Sequence, residues 1–78
     1  MKIYIDTMMG NHWTVRGVDK ASKIQLVKNI IRSKCGVSTD KQILTFKNVI
    51  MRNNTTLEEY GVVSGITIRL TLAATTGL

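Results

Sequence analysis

Seventy-eight residues allow one domain, and 44% apolar with 21% charged is the balance of a chain that folds. One cysteine and one histidine exclude an internal disulfide and a Cys/His zinc site, so packing alone must hold a small core. The net charge of +6 favours acidic proteins, nucleic acid or an anionic membrane surface without choosing among them.

Other function classes fall away on pattern. There is no GxxxxGK[ST] loop, no HExxH and no nucleophile–base pair, and the chain has only five acidic residues. The expectation is no enzyme, no catalytic residue, no metal and no cofactor. No apolar run approaches the roughly 20 residues needed to span a bilayer. The first residues, MKIYIDTM, alternate and carry Asp6, unlike a signal peptide. A lone thiol and no export signal predict the cytoplasm or nucleus.

In chain order, KIYIDTM alternates, with Ile3 and Ile5 on one side and Lys2, Tyr4 and Asp6 on the other. A turn at Gly10-Asn11 leads to a second alternating run. There Trp13 and Val15 point one way, and His12, Thr14 and Arg16 the other. The pair reads as a β-hairpin with a bulge. Ser22-Lys23-Ile24-Gln25 fits a capping box, with Ser22 as N-cap and Gln25 reaching back. Ile24, Val27 and Ile31 then form one apolar stripe, with Lys28, Arg32 and Lys34 beside or opposite it. Gly36 supplies a left-handed stop, and Val37 is expected to fold back onto the helix.

KQILTF reads as a third strand, with Leu44 and Phe46 on one face and Ile43 and Thr45 on the other. KNVIMRNN reads as a turn and a short strand ending at Arg52. Thr56-Leu57-Glu58-Glu59 is a second capping box over one helical turn. GITIRLTL closes the series, with Ile68 and Leu70 inward and Thr67, Arg69 and Thr71 outward. The order is β-β-α-β-β-short helical turn-β. One amphipathic helix against one face of a mixed sheet is a two-layer α+β arrangement. If the last strand lies beside the first, the two are parallel and the intervening chain is the crossover.

From residue 1 to about residue 72 the chain resembles ubiquitin and its superfamily. The resemblance rests on MKIYIDTMMG, IQLVK, GVSTDKQ, LTF, TTLEEYGV and TIRLTL in that order and spacing, with one extra residue near Gly17. It implies a β-grasp fold over 1–72, a mixed five-stranded sheet packed on one helix. Residues 73–78 are then a flexible tail or the start of a linker. It also implies that Tyr60 braces a loop through its hydroxyl.

The departures from that pattern bear on function. Where ubiquitin ends in a reactive glycine pair preceded by arginines, this chain has Ala73, Ala74, Thr75, Thr76 and Gly77, then Leu78. Conjugation by the usual route is therefore not expected. Of ubiquitin's lysine positions, only those at Lys28 and Lys34 are still lysine, and both are expected on a solvated helix face. Ubiquitin's leucine, isoleucine and valine recognition patch falls on Met8, Thr45 and Thr71, and two of these are hydroxyls. Losing methyl-rich contact costs about 0.8 kcal/mol per methylene, which weakens ordinary ubiquitin receptors. Ile43, Val49 and Ile50 stand where ubiquitin has polar residues. With Met8 and Leu72 they can form a shifted apolar patch rimmed by Lys47 and Arg69. The alternative is that they are partly covered by local loops, or are strand-propensity choices.

Other single residues are read conservatively. Cys35 is expected to be a half-buried structural thiol, Trp13 a core residue, His12 a solvent-facing residue without chemistry, and Tyr4 an exposed aromatic. The sequence points to a non-conjugated, monomeric docking domain, N-terminal in a larger protein and binding no membrane. The resemblance implies a protein partner such as a proteasome subunit, a ubiquitin receptor or an unfoldase ATPase. A free or processed ubiquitin-like modifier is the alternative. A basic nucleic-acid or acidic-surface binder, using Lys20, Lys23, Lys28, Arg32 and Lys34, is disfavoured because single-strand binders add stacking aromatics.

Overall fold

Ile3 and Ile5 are fully buried while Tyr4 between them is exposed, the period of two that a half-covered strand requires. The computed structural model describes residues 1–7 and 10–73. Strand β1 spans Ile3–Thr7 and pairs antiparallel with β2, His12–Val15, in the register Ile5↔Trp13 and Asp6↔His12. Gly10, at φ 83°, sits in the connecting loop and donates its N–H to Thr7 O.

Helix α1 spans Ile24–Cys35 and buries Ile24, Val27, Lys28 and Ile31. Its start differs from the expected capping box. Ser22 does not cap the helix; its Oγ accepts the N–H of Asp19 at 3.0 Å, and Asp19 Oδ1 accepts the N–H of Ala21. Gln25 donates along the helix to Asn29 Oδ1. The open N–H groups of Ile24 and Gln25 are met by the backbone carbonyls of Thr55 and Asn53, at 2.9 and 3.1 Å. A loop more than 25 residues away thus does what a local side chain does elsewhere. The other end is as expected: Gly36, at φ 75°, donates its N–H to Arg32 O.

After a 3-10 turn at Thr39–Lys41, strand β3 runs Gln42–Phe46 and β4 only Val49–Ile50, two residues short of the predicted end at Arg52. Lys47 and Asn48, both at positive φ, form the two-residue hairpin turn that fixes Phe46↔Val49 and Thr45↔Ile50. Another 3-10 turn, Glu58–Tyr60, is clipped by Glu59, whose Oε2 accepts the N–H and hydroxyl of Thr56. Tyr60 braces the loop before it, its hydroxyl accepting the N–H of Arg52 at 2.7 Å.

Strand β5, Thr67–Leu72, enters the middle of the sheet, parallel to β1 and antiparallel to β3. The sheet order is β2-β1-β5-β3-β4, mixed and five-stranded, with α1 across one face. The core lies between them, built from Ile3, Ile5, Val15, Val27, Ile31, Leu44, Leu57, Ile68 and Leu70 among others. This is the two-layer β-grasp arrangement, and among the described residues no layer covers the opposite sheet face.

Lys28 departs from the expected solvated helix face. It is only 7% exposed, and its Nζ donates to Asn53 Oδ1 at 2.6 Å. Burial lowers its pKa from the usual lysine value. Gln42 beside it is also buried, and its Nε2 donates to the carbonyls of Lys28 and Val37. Lys34 is exposed, as expected.

Candidate interaction surface

Alternation along each strand and the registers between strands decide which side chains share the uncovered face. Directly paired residues lie on the same side. Asp6 pairs with His12 on β2 and with Arg69 on β5, Arg69 pairs with Thr45 on β3, and Thr45 pairs with Ile50 on β4. One row therefore crosses the sheet: His12, Asp6, Arg69, Thr45, Ile50. A second row places Thr14, Tyr4 and Thr67 together, and Ile43 faces Thr71 at the other end.

Ile50 is 64% exposed at the edge of this face, and Ile43 is half-buried near it. Covering the open part of an isoleucine is worth about 1–2 kcal/mol, so these two side chains form a modest apolar anchor. The hydroxyls of Thr45 and Thr71 and the guanidinium of Arg69 interrupt it. The electrostatics of the row are uneven. His12 Nδ1 lies 3.2 Å from Asp6 Oδ1, whereas among the described residues no carboxylate lies within 4.0 Å of Arg69.

The structure gathers Ile43, Thr45, Ile50, Arg69 and Thr71 on this face and sets the other expected patch residues apart. Val49 pairs with Phe46 and so lies on the opposite side from Thr45 and Ile50. Leu72 falls on the side of Ile68 and Leu70 and lines a cleft of about 740 Å³ with Trp13, Cys35 and Val37. It is 53% exposed there, and does not extend the uncovered face. Lys47 sits in the hairpin turn, its Nζ 5.3 Å from the centre of the Phe46 ring. Met8 lies outside the described residues, as does the tail from residue 74.

Two members of the row, Asp6 and His12, were read as merely outward-facing. Alternation gave their direction, but only the register shows that they meet each other and that Asp6 lies beside Arg69. The remaining single residues stand as expected: Cys35 and Trp13 are half-buried against the core, and Tyr4 is exposed with Lys2 Nζ 5.5 Å from its ring. Among the described residues no cluster of metal-binding side chains is found, and no helix is long and apolar enough to cross a membrane.

Comparison with known proteins agrees with this architecture. The model of the family described as the Ubiquitin family matches residues 3–75. The chain is also similar to the ubiquitin-like protein NEDD8-like protein 2 of Dictyostelium discoideum, 36% identical over 50 residues, which take in 64% of this chain and 62% of that relative. The chain thus spans less than two thirds of that curated relative's length. With one helix packed on a mixed five-stranded sheet and a family match over nearly its whole length, the chain belongs to the ubiquitin family.

Proposed function

We propose that this is a non-conjugated docking domain that holds a larger protein to a protein partner through the uncovered sheet face. The observation that carries this reading is the exposure of Ile50 on a face it shares with Ile43, Thr45 and Arg69. An exposed aliphatic side chain beside polar donors suits a protein interface better than a catalytic pocket. Two threonines at the positions of ubiquitin's aliphatic patch support a dedicated partner over general ubiquitin receptors. A proteasome subunit or an unfoldase ATPase is the kind of partner the family suggests. The sequence Ala73, Ala74, Thr75, Thr76, Gly77 supports the absence of conjugation, since it lacks the paired glycines of a reactive tail.

A second reading, a processed modifier joined through Gly77, draws on the likeness to a NEDD8-like protein. The mass of the native product in cell extract separates the two. A single discrete species is expected of a docking domain. A ladder of adducts that collapses when Gly77 is deleted would overturn that reading in favour of the modifier.

A further inference from the structure

The seam between α1 and the loop before Thr56 holds a buried cation that no carboxylate answers. Lys28 is 7% exposed, and its ammonium has several N–H donors to place. Among the described residues Asn53 Oδ1 is the one acceptor it meets, at 2.6 Å, and that acceptor carries no charge. No carboxylate lies within 4.0 Å of it among those residues. A charge taken out of water needs an opposite charge or a fuller set of hydrogen bonds. Burial accordingly lowers the pKa of Lys28. Asn53 is itself exposed, so the ammonium ends just under the surface, within reach of a group from outside.

The surroundings repeat the imbalance. Gln25, Lys28 and Arg32 recur at the helical spacing, along one side of α1. The N–H of Gln25 donates to Asn53 O, which lays the loop along that side. Arg32 is exposed one turn beyond Lys28, and Arg52, just before Asn53, is exposed as well. Gln25, Asn29, Asn53 and Asn54 add neutral amides and no negative charge. The acidic side chains are largely spent elsewhere: Asp6 on His12, Asp19 on Ala21, Asp40 on Ser38 and Glu59 on Thr56.

We infer that this seam is a second contact surface, apart from the sheet face, and that its occupant is an Asp or Glu side chain of a protein partner. The carboxylate sits over Lys28 Nζ, with Arg32 and Arg52 to either side, and takes the N–H groups that Asn53 leaves over. Charge complementarity selects an anion, on a chain of net charge +6 and at a cation with no carboxylate of its own. Burial selects a carboxylate, whose flat end reaches an ammonium recessed beside Asn53. A nucleic-acid strand is met by freely moving cations and stacking aromatics, and the exposed aromatic among the described residues, Tyr4, stands on the sheet.

The test titrates the isotope-labelled full chain at low ionic strength with three probes: an acetylated, amidated tetraglutamate peptide, inorganic phosphate and a short oligothymidylate. Backbone amide spectra show that each variant is folded. The peptide should move the Asn53 side-chain amide and the Gln25 and Arg52 backbone signals saturably, and more tightly than the other probes. Asn53→Asp places a carboxylate of the chain's own at Lys28 and should weaken the peptide about 10-fold or more. Arg52→Gln should weaken it less. Asn11→Asp, the same change of charge in the β1–β2 loop, should alter it less than about 2-fold, since a distant exposed charge is screened. Equal losses from Asn53→Asp and Asn11→Asp would reduce the effect to general charge and overturn the inference. Tighter binding of phosphate or oligothymidylate at the same signals would make the occupant a phosphate and also overturn it. So would a dimer in sedimentation that Asn53→Asp dissolves, which would make a second copy the occupant. Shifts confined to the sheet face, or no shift at all, would overturn the seam as a contact surface and leave the sheet-face reading standing.

Discussion

The Nζ of Lys28 donates to Oδ1 of Asn53 at 2.6 Å, so a buried ammonium in the helix is answered by a neutral amide from the loop opposite. The same Asn53 offers its backbone carbonyl to the N–H of Gln25 in the first turn of α1. One residue of the loop thus ties down the helix by both its side chain and its main chain.

The charge on Lys28 is held at a cost, because burial lowers its pKa. The unfolded chain keeps the proton until about pH 10.4, and the native protein releases it earlier. Between those values the unfolded state binds more protons, so the contribution of Lys28 makes stability rise with pH. Asn53→Asp supplies a carboxylate from an exposed residue and favours the charged lysine. It should stabilise the protein at neutral pH by about 1 kcal/mol and flatten the rise toward pH 10. Urea unfolding of both proteins at pH 7 and pH 10 measures this; equal or lower stability of the variant at pH 7 would contradict it.

Gln42 gives a second, independent test of the same polar cluster. Its Nε2 serves the carbonyls of Lys28 and Val37, while its own Oε1 is buried without a hydrogen-bond partner among the described residues. Gln42→Leu fills a similar volume and removes both donations. Two lost hydrogen bonds outweigh the relief at Oε1, for an expected net cost of about 1–2 kcal/mol. Chemical denaturation measures it, and a more stable leucine variant would show that the amide is a burden.

The clip at Glu59 should be felt at a distance. Its carboxylate holds Thr56, and the stretch just before Thr56 caps α1 through the Asn53 and Thr55 carbonyls. Glu59→Ala should cost about 1 kcal/mol. Amide hydrogen exchange should quicken at Ile24 and Gln25 more than at mid-helix Ile31. Uniform acceleration along the helix would mean that the loop and the cap are not coupled.

Much of this architecture was legible because it is local. Alternation placed Ile3, Ile5, Leu44, Ile68 and Leu70 inward, and the Gly36 stop depends on near neighbours, as does the one half of the second capping box that forms, Glu59 accepting the N–H of Thr56, although Thr56 itself does not cap the turn. What escaped depends on chain brought in from elsewhere. Lys28 lies four residues after Ile24 at the margin of the apolar stripe, and only the arrival of the Asn53 loop buries it. Ser22 has the right spacing for a cap, but Asp19 lies three residues before it and takes its hydroxyl first. The split between Val49 and Ile50 follows from the two-residue turn at Lys47-Asn48, a register that composition alone does not give. The candidate face therefore came out smaller and more polar than expected, with Arg69 at its centre.

The central claim is that the uncovered sheet face is where the domain meets its partner. The most direct measurement is quantitative affinity capture from cell extract with the wild-type chain, Ile50→Glu and Lys34→Glu, the fold of each checked by its amide spectrum. Both substitutions place a negative charge on an exposed residue, one on the face and one on the helix. The account predicts that Ile50→Glu loses the specifically captured protein while Lys34→Glu retains it. Retention by a folded Ile50→Glu protein, or loss from Lys34→Glu alone, would place the partner elsewhere and contradict the account.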